Sequence, residues 1–135
     1  MSNPISDLAM LLSTMEPVLH KGVYVYSVVP SNTDLSSIPA IAMFREAEGT
    51  TVIMSEAEAL DANLSVLFRA AWITLKVHSD LQAVGLTAAF SRALSEAGIS
   101  CNVVAAAYHD HIFVPIDRAA ESIELLKALQ QAAAS

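Results

Sequence analysis

Ile73-Thr74-Leu75-Lys76-Val77-His78-Ser79-Asp80, continuing as Leu81-Gln82-Ala83-Val84-Gly85-Leu86, is the stretch that decides the fold. Ile73, Leu75 and Val77 alternate with Thr74, Lys76 and His78, so one face is apolar and the other polar, which predicts a half-exposed strand. Then the period changes. Leu86, Phe90, Ala93, Leu94 and Ala97 recur at helical spacing, Arg92 and Glu96 pair at i,i+4 on the wetter side, and Gly98 provides the stop. A strand, a loop carrying Gly85, and a helix from about Val84 to Ala97 follow. Beyond the helix, Ile99 to Ala107 and Ile112 to Ile116 read as two strands around Tyr108-His109-Asp110-His111. Asp117 then caps a last helix that turns Ala119, Ile123, Leu126 and Leu129 inward, with a frayed tail after Gln130.

Upstream the signals are shorter. Leu8, Leu11, Leu12 and Met15 form an amphipathic helix behind Ser6 or Asp7, and Pro17 stops the pattern. Val23 to Val29 reads as a strand, and Pro30 to Ser37 as turn. Ile38 to Glu46 and Thr50 to Met54 make a hairpin around Ala47-Glu48-Gly49. Ser55 with Glu58 three residues on is a capping-box signature for a helix to about Ala62, and Asn63 suits its exit. A further strand is expected over Leu64 to Phe68. From Trp72 the order is βαββα; from Val23 to Phe68 it is βαββαβ with a loop from Pro30 to Ser37 replacing the first helix. Strands in hairpin pairs punctuated by single helices predict an α+β fold, a mostly antiparallel sheet with helices on one face.

The chain has 135 residues, 54% of them hydrophobic, which is enough to bury a core in one domain or two very small ones. Seven Lys and Arg stand against fourteen Asp and Glu, for a formal charge of -7, and no basic run gathers the cations. Nucleic acid is set aside on that ground. The single cysteine, Cys101, allows neither a disulfide framework nor a cysteine-rich zinc site and reads as a buried structural thiol. The opening residues lack a basic region followed by an apolar core, and every apolar run is broken well short of the about 20 residues a membrane helix needs. A cytoplasmic protein without membrane contact is the expectation.

The run Val77-His78-Ser79-Asp80-Leu81-Gln82-Ala83-Val84-Gly85-Leu86, with Gly98-Ile99-Ser100-Cys101-Asn102-Val103-Val104 after the helix, resembles an ACT domain. The run Gly85-Leu86-Thr87-Ala88-Ala89-Phe90-Ser91 and the ending Tyr108-His109-Asp110-His111-Ile112-Phe113-Val114-Pro115 are similar to small stand-alone bacterial proteins made of two ACT-like halves. That resemblance implies ferredoxin-like βαββαβ units in tandem, a degenerate half over 1–69 and a second over 70–135. It also implies amino-acid binding and a regulatory role. Two departures from the complete module stand out: the first half lacks its first helix, and no strand follows the last helix. The absent strand has to come from elsewhere in the chain or from a partner.

The candidate ligand residues are Asp80, Gly85, Leu86, Thr87, Asn102 and Val103. Unpaired amides of Gly85, Leu86 and Thr87 at a helix start can receive a carboxylate, helped by the helix dipole. Equally, the glycine can serve packing or a φ that the loop requires. Asp80 can meet an ammonium group or simply cap the helix. Asn102 is unfavoured inside a strand and calls for a specific partner, either ligand or neighbouring backbone, while the Val103 backbone would help orient the ligand. His109 and His111, with His78, are a conceivable imidazole metal site, but no other motif supports one. A surface pair or an interface hydrogen bond is the simpler reading, so neither metal nor cofactor is expected.

Gly-x-Ser-x-Gly, phosphate-loop and dinucleotide motifs are absent. The sequence therefore predicts a non-catalytic sensor, a homodimer binding a small amino acid or related metabolite at the seam between halves or subunits. Its rival is a ligand-free protein-interaction module dimerising through sheet edges.

Overall fold

A computed structural model describes residues 7–77 and 81–134. The chain divides into two compact units, one over residues 21–70 and one that joins residues 1–20 to residues 71–135. Compactness thus groups the first twenty residues with the second half of the chain.

The chain opens with α1 (Leu8–Thr14), where the Asp7 side chain accepts from the Met10 amide at 3.0 Å. The helix ends at Thr14, with Met15 as its extended C-cap, and Pro17 lies inside a strand, β1 (Glu16–Leu19), that sequence periodicity missed. Next comes β2 (Tyr24–Val29), then a single 3-10 turn over 35–37, as the turn-rich composition of Pro30 to Ser37 requires. The expected hairpin forms from β3 (Ala42–Arg45) and β4 (Thr50–Ser55). Then α2 (Glu56–Asp61) starts at Ser55, whose hydroxyl oxygen accepts from the Glu58 amide at 3.3 Å, and it exits through Asn63 at φ 57°.

After it, β5 (Phe68–Lys76) is one strand where two were expected. Ala70 and Ala71 are both buried, so its centre shows no alternation for a reader of sequence to follow. The second half continues with α3 (Leu86–Ser95), β6 (Asn102–Ala105), β7 (Asp110–Pro115) and α4 (Ala119–Ala134). Asp117 lies in a 3-10 turn over 116–118 instead of capping α4, and the helix runs on past Gln130 where fraying was expected.

In the 21–70 unit the sheet order is β3-β4-β2 and then the first residues of β5, with all pairs antiparallel. Val25, Val29, Val52, Met54 and Ala59 make its small core, closed by Leu35, Ile38, Ala40 and Leu64 from the loops. The loop over residues 30–41 therefore covers the face that a first helix would cover.

The composite unit has the order β6-β7-β5-β1. Here β1 pairs antiparallel with β5, Val18 opposite Thr74 and Pro17 opposite Leu75, and it fills the edge position beside β5 from elsewhere in the chain. Proline is tolerated because β1 is an edge strand. Phe90, Leu86 and Leu94 of α3 and Leu126 of α4 pack with Leu11 and Met15 onto Ile73, Leu75, Ile112 and Val114, so the helices share one sheet face.

Candidate functional site

The site the sequence singles out is the start of α3. Gly85 is its N-cap at φ 103°, a conformation that L residues rarely adopt, and a Cβ there would meet Leu8 Cδ2 at 3.0 Å. Both structural reasons for a glycine hold at once. No side-chain cap is present among the described residues, and the first backbone bond of the helix is Ala89 N–H to the Gly85 carbonyl at 2.9 Å. The amides of Leu86, Thr87 and Ala88 precede that bond and are the unpaired donors of a helix start. Leu86 is buried and anchors the turn to the core, while Thr87 is exposed. Asp80 lies outside the described residues, as does His78.

Asn102 opens β6, is exposed, and donates from Nδ2 to the carbonyl of its cross-strand partner Phe113 at 3.3 Å. Of its two expected partners, neighbouring backbone is the one present. Val103 faces Ile112 and is half-buried. Because β6 follows the exit of α3, Asn102 and Gly85 belong to opposite ends of that helix within one unit.

Asp110, which sequence periodicity places in a turn, opens β7. His111 touches Trp72 and Thr74, and Phe113 stacks on Trp72, so β7 runs against β5. The first residue of β7, Asp110, therefore sits at the end of β5 that leads into α3. Asp110 is 6% exposed, and burial pushes its carboxyl above the ordinary value, with His109 acting in the opposite sense. The signal was available: Asp110, Ile112 and Val114 are spaced for one strand face, and the latter two are core residues.

On the opposite sheet face His20 stacks on Trp72, ring centroids 3.6 Å apart and 8° from parallel. Its Nε2 lies 2.6 Å from Thr74 Oγ1, which lies 3.1 Å from His111 Nδ1. Trp72 Nε1 donates to that same Nδ1 at 3.1 Å. An indole N–H can only donate, so Nδ1 of His111 must be unprotonated. His109 Nδ1 is buried without a partner among the described residues, and no group of three His, Cys, Asp or Glu there is placed to hold a metal.

A groove of about 600 Å³ follows the outside of α3 and its exit, lined by Ala88, Ser91, Arg92, Ser95, Ser100 and Cys101 among others. Burial pushes the thiol of the half-buried Cys101 up to about 11, so it is held as the thiol at neutral pH. Among the described residues no helix is long and apolar enough to cross a membrane.

Models of the ACT domain match residues 3–71 and residues 67–128. A Vibrio cholerae protein of unknown function, described as a possible transport protein, has 42% identity and a TM-score of 0.83, covering 96% of this chain and 100% of its own. An Agrobacterium tumefaciens protein is similar at 16% identity and TM-score 0.65, covering 86% and 89%. The ligand-free regulatory subunit of aspartate kinase from Thermus thermophilus has 7% identity and TM-score 0.66 over 87% of this chain and 97% of its own, a likeness of fold. No curated protein matches the chain.

Proposed function

The chain belongs to the ACT-domain family, and from that premise we propose that it is a non-catalytic cytoplasmic sensor that binds a small amino acid. The observation that carries this reading is the start of α3, where three amide donors stand without a side-chain cap among the described residues. A ligand carboxylate there exchanges water for fixed N–H groups at the positive end of a helix dipole. Asp80, just upstream, is a partner for the ammonium group. Asn102 and the Val103 backbone belong to the far end of the same helix, so they reach the ligand from a second copy of the chain. The ligand then lies between subunits of a homodimer, and it regulates by favouring one arrangement of them over another.

Thermal unfolding in the presence of each of the twenty amino acids at millimolar concentration tests this. At least one is expected to raise the Tm, by a mass-action increment that grows with concentration, and Gly85→Val should abolish that rise. A folded sample with no shift from any amino acid would sink the reading.

One observation favours the rival reading of a ligand-free interaction module. β3 is the edge of its sheet, and Phe44 on it is 72% exposed. Such an edge offers unpaired backbone groups to another strand.

A further inference from the structure

The face of the composite sheet turned away from α3 and α4 carries a polar cluster that the proposed ligand does not touch. His20, just beyond β1, meets Trp72 and Thr74 of β5 and His111 of β7, so three strands contribute to it. Main chain joins them as well, since the His20 amide donates to the Trp72 carbonyl at 2.9 Å. The Thr74 hydroxyl stands between the two imidazoles, 2.6 Å from Nε2 of His20 and 3.1 Å from Nδ1 of His111, and Thr74 is 6% exposed.

The hydrogens available at these atoms limit how many protons the cluster can hold. Trp72 Nε1 can only donate, so Nδ1 of His111 presents its lone pair, which the Thr74 hydroxyl shares at the same 3.1 Å. Thr74 has one hydrogen to give, and with both rings neutral it serves either nitrogen. A proton on His20 fixes the direction: Nε2–H donates to Oγ1, and Oγ1–H donates to His111. Every donor then keeps an acceptor, and the cationic ring lies flat on the Trp72 indole, centroids 3.6 Å apart, where it gains a cation–π attraction. A second proton, on Nδ1 of His111, turns the indole N–H and the hydroxyl hydrogen toward donors and sets two cations around one oxygen. The neighbours on this face do not offset it: β6 places Val104 opposite His111, His109 adds repulsion, and Glu16 of β1 faces Lys76 of β5, one acid against one base.

We propose that His20, Thr74 and His111 form an acid-operated latch that fastens the end of β1 to β5 and β7, shut while it holds one proton, on His20, and opened when His111 takes a second. Opening breaks the Trp72–His111 bond and loosens the end of β1 from the sheet, so the fold itself registers acidity. The two rings titrate as a coupled pair. Burial holds both below the ordinary imidazole value, and repulsion from His109 and His20 adds to it at His111. None of these residues belongs to the start of α3, so the latch stands or falls apart from amino-acid binding.

An NMR titration of the full chain from about pH 8 to about pH 4.5 tests this. It follows the rings of His20 and His111, the indole N–H of Trp72, which is the chain's one tryptophan, and exchange protection of the His20 amide. Two separate steps are expected, His20 before His111. The indole resonance and the His20 protection should persist through the first step and change together at the second, protection falling at least about tenfold while Phe90 and Leu94 in α3 keep theirs. Thr74→Val, which removes the hydroxyl at nearly constant shape, should bring the two steps closer together. His111→Gln should abolish the second step and leave His20 protection level across the range. The proposal is overturned if His111 titrates before His20, if the indole signal moves with the first step, or if His20 loses protection only together with α3. Wild-type separation of the steps in T74V would overturn it as well, and should that variant not fold, the order of events in wild type and H111Q still decides.

Discussion

His111 is held in one protonation state by its neighbours. Its Nδ1 accepts from the Trp72 indole, and protonation at that atom would set two donors against each other. Burial lowers the pKa of His111, with His109 and His20 adding repulsion, and burial also lowers that of His20. The linkage sign follows: with folded pKa values below the ordinary 6.5, the unfolded chain binds more protons, so stability is full above that pH and declines as pH falls below it. Asp110 works the other way, because its raised pKa means that acidification relieves a buried charge, but only further down near the carboxylate range. We expect the Tm to drop between about pH 7 and pH 5.5, with a shallower slope in His111→Gln. Equal slopes in the two proteins would refute the assignment of His111 as the responsible group.

At the scale of elements, β1 is the piece that completes the composite sheet. Leu11 and Met15, just before it, are fully buried in the same core. Removing residues 1–20 strips the β5 edge of its partner and empties two core positions, each costing about 2–5 kcal/mol on the scale of Leu or Met to Ala. The truncated chain should lose cooperative unfolding of its second half, seen as a broadened calorimetric transition and weakened amide-exchange protection at Ile73 to Leu75. A sharp transition at the wild-type temperature would show that β1 is dispensable. This element also marks where the sequence fell silent. The α3 helix, the β3–β4 hairpin and the Ser55 cap were legible because periodicity and capping are local. β1 has four residues, one of them proline, and gains its strand character only from a partner far along the chain. Local reading likewise put Asp110 in a turn, since a carboxylate at the head of a strand looks like loop chemistry until burial is known. Gly85 is legible as a helix start because a lone glycine before a strong helical period stands out, and Asn102's carbonyl partner across the hairpin is one of the two kinds that its sequence context allows.

At the scale of the whole molecule, the two proposed readings differ in what holds copies together. If the β3 edge joins subunits without a ligand, Phe44→Glu should convert dimer to monomer by light scattering, with or without added amino acid. If the ligand sits between subunits, the association constant should rise with amino-acid concentration and F44E should leave the dimer unchanged. A wild-type protein that is monomeric under both conditions would remove both arrangements. The net charge of -7 predicts that either association tightens with added salt, as like-charged copies are screened.

The pairing of β1 with β5 has a further consequence for how the chain is made. His20 and Thr74, which meet in the finished fold, are 54 positions apart, so translation delivers α1 and β1 well before their docking surface exists. The 21–70 segment, whose strand pairs are its own, is free to condense first. Meanwhile the apolar residues of α1 and β1 wait in solvent for β5 and β7. Chaperone contact during synthesis is therefore expected to concentrate on residues 8–19, and slow closure of this long loop should set the pace of refolding.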